Sequence, residues 1–257
     1  MLFDRLKDMA IGFEARFGSY DENRPVLVMI HGAGGSSLVW KNQVNTLDDA
    51  INTLALDLPG HGKTVGLGKT LVEEYSGWLG KVLGDLFDRP VFLMGHSLGG
   101  AVVMETALHY PELLKGILLV GTGPLLRVAP AFLKGFSDKF EETIDMVMDY
   151  AYASGADLSM VREGAGLMKK AGPKVVYDDF TACNSFDRRK ELEKIDLPCL
   201  IICGKDDKLT PPALSETLNK SISRSVLTIV PAAGHHVMIE SYEAFNRCVE
   251  DFVLAPH

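Results

Sequence analysis

Cysteine is scarce in this chain of 257 residues, and its four copies, Cys183, Cys199, Cys203 and Cys248, include no C-x-x-C pair. The pattern gives no disulfide framework and no thiol redox or zinc motif. Cys199 and Cys203 fall inside an apolar run, where reduced, buried thiols are expected. Basic residues are outnumbered, 26 Lys and Arg against 34 Asp and Glu, for a net charge of −8. That balance favours neither nucleic acid nor an anionic membrane surface as a partner. No apolar stretch approaches the roughly 18 residues a membrane span requires. The first ten residues already hold Asp4, Arg5, Lys7 and Asp8, which is not the pattern of a secretory signal. With reduced thiols, this makes the cytoplasm the expected compartment. The glycine-rich turn His31-Gly32-Ala33-Gly34-Gly35 could bind phosphate, but it lacks both the G-x-G-x-x-G spacing and the G-K-[ST] ending of a nucleotide site. No two histidines have metal-ligand spacing. Neither a cofactor nor a metal is expected.

What the chain does have is an ordinary globular composition, 47% apolar and 23% charged, and length for one large domain or a domain with an insertion. Met9, Ile11, Phe13, Ala15 and Phe17 alternate as in a half-buried strand. The continuous apolar runs over residues 26–30, 52–58, 91–94, 117–120, 200–203 and 227–230 read as strands, most of them buried on both faces. Helical patterns over 38–48, 70–87, 98–110 and 241–254 lie between or after them. Strand and helix alternate, so the expected sheet is mainly parallel with helices on both faces. Residues 124–190 break the rule. They read as helices only, too long for a crossover, and are expected to form an inserted cap on a core of residues 1–123 and 191–257.

The polar clusters follow the strands, which matters because parallel sheets bring ligands to the carboxyl ends of their strands. After residues 91–94 comes Gly95-His96-Ser97-Leu98-Gly99, a G-x-S-x-G turn running into a helix. Such a turn strains its central residue, and glycines two positions either side relieve the crowding. The serine oxygen is then presented beside a helix N-terminus. Taken alone, the turn could equally be a strand-to-helix connection with a serine cap. A serine hydroxyl is a weak nucleophile and needs a base; a histidine base needs a carboxylate to orient it. Gly204-Lys205-Asp206-Asp207 and Gly234-His235-His236 follow later strands and offer both, in the order Ser, Asp, His. Asp206 competes with Asp207, and His236 with His235. Asp57, at another strand end, precedes the serine and so does not fit the order. The N–H of Leu98, directly after Ser97, and that of Ala33, in His31-Gly32-Ala33-Gly34-Gly35, are candidate oxyanion donors. His31, His61 and His96 are read as hydrogen-bonding residues of tight loops.

These clusters, together with Asp57-Leu58-Pro59-Gly60-His61-Gly62, resemble those of α/β-hydrolase-fold serine hydrolases of the esterase and lipase group, over nearly the whole chain. The resemblance implies Ser97 as nucleophile, His235 as base, Asp207 as its acid, and Ala33 and Leu98 as the oxyanion hole. It implies a small-molecule ester as substrate, without cofactor. It also places a substrate-selecting lid where the helical interval begins. The same triad would serve a carbon–carbon bond hydrolase, a thioesterase, a perhydrolase, or a slow-turnover receptor of this fold.

Overall fold

The computed structural model describes residues 2–16 and 20–256. Its centre is a seven-stranded sheet of β1 (Phe13–Ala15), β2 (Val26–Ile30), β3 (Asn52–Leu56), β4 (Val91–His96), β5 (Leu114–Val120), β6 (Cys199–Gly204) and β7 (Ser225–Val230). Their order is β1-β3-β2-β4-β5-β6-β7, with every pairing parallel except that of β1 with β3. Each central strand is buried along its length, which is why its sequence is an unbroken apolar run. Alternate residues serve opposite faces. In β4, Val91 and Leu93 join the core formed with the helices Val72–Leu86 and Leu98–His109. Phe92 and Met94 join the core on the other side, with Trp40, Phe245 and Val249. The edge strand β7 is half-covered, leaving Val226 exposed.

Beyond shifts of a few residues at element ends, two stretches differ in kind from the sequence expectation. The N-terminal alternation yields a strand only over Phe13–Ala15, and a seven-residue helix, Leu2–Asp8, precedes it. Leu6 anchors that helix in the core, so tertiary burial stabilises a segment too short to be helical alone. Phe17, which the alternation included, lies outside the described residues. The expected helix over 38–48 begins as a 3₁₀ turn, Ser37–Trp40, and continues as Lys41–Thr46.

Between β5 and β6 stand four helices, Pro130–Asp138, Phe140–Ala151, Leu158–Ala171 and Pro173–Ser185. They have their own core, including Phe136, Ile144, Val147, Met148 and Val176. The two ends of this insertion meet at a Leu125–Asp187 bridge, where the Arg188 N–H donates to the Pro124 carbonyl at 2.8 Å. No helix among the described residues is long and apolar enough to cross a membrane.

Candidate active site

The sheet reverses its direction of winding between β2 and β4: the chain goes from β2 outward to β3, then returns to β4 on the other side of β2. Neighbouring loops diverge at such a switch point and leave a crevice. Ile30 pairs with Gly95 there, so the loop starting at His31 and the turn at Ser97 leave the sheet side by side.

Ser97 sits in that turn at φ +53°, ψ −115°, a conformation that costs a non-glycine residue about 1–3 kcal/mol. Four contacts hold it. Its N–H donates to the Val120 carbonyl at 2.9 Å, and its carbonyl accepts from the Gly100 and Ala101 N–H groups and the Thr122 hydroxyl. The turn leaves no room for side chains at its two glycines. A Cβ at Gly95 would lie 2.2 Å from the Gly99 carbonyl oxygen, and one at Gly99 would lie 2.5 Å from that of Ile30.

His235 follows β7. Its Nδ1 is 2.9 Å from Asp207 Oδ2, and both side chains are nearly fully buried. Asp207 is unusually well supplied with donors. Leu209 and Thr210 give their N–H groups to Oδ1 at 2.9 and 2.8 Å, and the Thr210 hydroxyl donates to Oδ2 at 2.7 Å while standing 3.0 Å from His235 Nδ1. Burial pushes the Asp207 carboxyl up, but the His235 charge and the donors from His235 and Thr210 outweigh it and hold it below the usual carboxylate range. The carboxylate therefore stays ionised and fixes the imidazole with Nδ1–H toward itself, leaving Nε2 for the proton of a reacting group. Asp206 is exposed and takes no part. His236 is half-buried and stacks on Tyr152 with ring centroids 4.8 Å apart. Burial first, then the His235 charge, hold it down to about 3. Asp57 is occupied elsewhere, accepting the Ser37 and Lys63 N–H groups at 2.6 and 2.9 Å.

The loop after β2 has a fixed orientation. His31 Nδ1 lies 2.8 Å from the Gly32 carbonyl oxygen, which also accepts the Gly35 N–H at 3.1 Å. His31 Nε2 accepts the Leu58 N–H at 3.0 Å, which assigns the ring proton to Nδ1. Burial and the neighbouring His61 charge keep His31 neutral, down to about 4. Because a trans peptide sets its N–H opposite its C=O, anchoring the Gly32 carbonyl on the His31 side turns the Ala33 N–H the other way. Among the described residues, neither the Ala33 nor the Leu98 N–H donates to a protein acceptor.

Ser97, Ala33 and His235 line one cavity of about 440 Å³. Its remaining wall is mostly apolar and comes largely from the insertion, with Leu125, Phe132, Met146 and Phe180 among the contributors. The structure thus brings Asp207 and His235 into hydrogen-bond contact, sets Ser97 and Ala33 on the same cavity, and has Leu98 open the helix behind the serine. Two residues went unnoticed. Thr210 had a local signal, since an aspartate followed by a threonine three residues later can turn back on its own N–H groups. Asp179, in the insertion, had none. Its carboxylate accepts from Gly34 N–H, His61 and Tyr75, three partners that only the folded chain brings together.

A strand-borne serine turn, a histidine–aspartate pair after later strands and a helical insertion after β5 define a hydrolase of the α/β class. The chain belongs to the alpha/beta hydrolase family, whose model matches residues 27–247. It is 28% identical to a pimeloyl-[acyl-carrier protein] methyl ester esterase of Aeromonas hydrophila subsp. hydrophila, over 95% of this chain and all of that one. A solved thermophilic esterase is 32% identical, with a TM-score of 0.80 and 90% of each chain covered. The enol-lactonase of Burkholderia xenovorans LB400, 20% identical, superposes with a TM-score of 0.85 over 95% of this chain and 96% of its own. That last likeness speaks to the fold alone.

Proposed function

We propose that this protein is a serine carboxylesterase whose nucleophile is Ser97, with His235 as general base and Asp207 as its orienting acid. The observation that carries the reading is the pairing of His235 with an ionised, four-donor Asp207 beside a strained serine in one apolar cavity. His235 Nε2 takes the Ser97 proton as the oxygen attacks the ester carbonyl. The developing oxyanion is held by the Ala33 and Leu98 N–H groups, each contributing on the order of 3 kcal/mol to barrier lowering. The imidazolium then gives its proton to the departing alcohol, and water, activated by the same histidine, cleaves the acyl-enzyme. Residues 124–190 act as a cap that excludes water and shapes the acyl site. An apolar wall of this size suits small to medium, fairly apolar acyl groups.

The esterase relatives support ester cleavage as the reaction. A narrower substrate draws on the same relatives and on two exposed cations at the cavity rim, Arg127 and Lys208. On this reading the preferred ester carries negative charge at its far end, free or on an acidic carrier. Charge reversal at both positions would then raise KM for a dicarboxylate monoester and leave that for a neutral ester of equal length unchanged.

Fluorophosphonate labelling tests the main reading. Wild-type protein should be labelled and Ser97→Ala should not. Equal labelling of the two would remove Ser97 from the role. Multiple turnover of p-nitrophenyl esters, compared with thioesters across acyl length, separates an esterase from a thioesterase and from a slow-turnover receptor.

A further inference from the structure

Asp179 is fully buried in the helix Pro173–Ser185 of the insertion, where a carboxylate costs several kcal/mol unless its oxygens are satisfied. Three donors from three separate elements satisfy them. Oδ2 accepts the Gly34 backbone N–H at 2.7 Å and His61 Nε2 at 2.8 Å. Oδ1 accepts the Tyr75 hydroxyl at 2.6 Å. His61 is a donor on both sides, since its Nδ1 faces the Pro59 carbonyl at 3.1 Å. Burial disfavours its charge, but the Asp179 carboxylate outweighs burial and raises its affinity for the second proton.

A second observation places the insertion directly on the same loop. Gly34 has φ +62°, and a Cβ there would lie 2.7 Å from Met168 Cγ and 3.1 Å from Val176 Cγ2, both from insertion helices. The Gly34 N–H belongs to the peptide joining Ala33 to Gly34. On the other side of Ala33, the Gly32–Ala33 peptide is held through its carbonyl by His31 and Gly35. Both peptide planes flanking Ala33 are therefore fixed, one by the core and one by Asp179.

We propose that Asp179 is a positioning residue for the oxyanion loop: through the Gly34 N–H it holds the Ala33 N–H at the angle required by a tetrahedral oxyanion formed at Ser97. The proposal rests on the reading of Ser97 as nucleophile and Ala33 as oxyanion donor. The competing role is purely architectural, with Asp179 serving only to fasten the insertion to the core. The two differ in what they do to the transition state. An architectural residue changes stability, whereas a positioning residue changes kcat and the binding of tetrahedral adducts more than it changes KM.

The experiment compares Asp179→Ala, Asp179→Asn and Arg188→Met with wild type. Arg188 fastens the insertion to the core through Glu73 and Glu105 without touching the loop. Asp179→Ala should lower kcat by roughly tenfold or more, with KM within about threefold, and weaken a reversible trifluoromethyl ketone in proportion to kcat. Asp179→Asn keeps an oxygen for the Gly34 N–H and should recover much of kcat. Arg188→Met should lower Tm with kcat unchanged. Folded Asp179→Ala with wild-type kcat would overturn the proposal. So would a fall in kcat that Arg188→Met reproduces at equal loss of Tm. Should Asp179→Ala not fold, amide exchange in the wild-type protein decides: a Gly34 amide as protected as those of the buried strands supports the proposal, and one exchanging like an exposed loop amide overturns it. Parallel fluorophosphonate labelling of Ser97→Ala distinguishes failure here from failure of the nucleophile assignment.

Discussion

The backbone N–H of His235 donates to the carbonyl of Ala151, the last residue of an insertion helix, at 2.7 Å. The loop carrying the histidine is thus joined to the insertion at the main chain. Glu240 reinforces the junction, accepting the Ala153 N–H at 2.8 Å and the Gly234 N–H at 3.0 Å. Since Asp179 holds the Gly34 N–H, the insertion is attached both to the loop bearing His235 and to the loop bearing Ala33.

The approach at Gly234 is close enough to test by adding one methyl. A Cβ there would lie 2.6 Å from the Ala153 nitrogen and 2.8 Å from the Ala151 oxygen, both backbone atoms. Gly234→Ala should destabilise the protein by about 1–3 kcal/mol, as overpacking does, and lower kcat by displacing His235. Thermal denaturation and ester turnover on one preparation check both effects.

Thr210→Val removes one of the four donors to Asp207 while keeping the side-chain shape. Losing one such hydrogen bond costs about 1 kcal/mol, so kcat should fall roughly fivefold with KM nearly unchanged. A variant at the wild-type rate would show that the remaining donors orient the carboxylate unaided.

Glu105 is buried and pairs with Arg188 Nε at 2.6 Å, and Arg188 also reaches Glu73. Removing one partner of a fully buried pair costs 3–5 kcal/mol. Arg188 retains some contact with water, so Arg188→Met should cost less, about 2 kcal/mol, as measured by urea denaturation at constant m-value.

The His61–Asp179 pair gives a pH signature. His61 binds its second proton more tightly when folded than the ordinary value of 6.5. Its contribution to stability is therefore complete below about pH 6.5 and declines as pH rises through the higher folded value. The Tm gap between wild type and His61→Gln should shrink from pH 6 to pH 9. A gap that widened would mean that His61 is buried neutral.

Legibility in the sequence tracked how local each constraint is. The serine turn was readable because backbone contacts around Gly95 and Gly99 admit no side chain, and because strand and helix patterns flank it. The strands were readable because burial on both faces makes their sequences continuously apolar. The residues left Asp207 against Asp206 and His235 against His236 open, and only the resemblance favoured Asp207 and His235; the folded chain differs between the neighbours, since Asp207 turns back onto Thr210 and His236 is held neutral. Asp179 could not be read. It stands next to Asp178 on a helix, and its three partners are more than a hundred residues away. The helix Pro212–Ser221 was also passed over, although its opening proline occupies a favoured first helical position.

The crossing from β3 back to β4 beside β2 also sets the order in which the protein can assemble. β2 and β4 carry the two loops that meet at the cavity, yet β3 and a fifteen-residue helix lie between them in the chain. Their pairing is non-local, and parallel, non-local pairing is slow to form. During synthesis the loop bearing Ala33 emerges first, then the serine, then the insertion, and the histidine only after β7. Until that last strand docks, the nascent chain exposes a serine turn without the Asp207–His235 pair and a central sheet with β6 unpaired on one side. Activity and protection from aggregation should therefore appear together, late, and in one step.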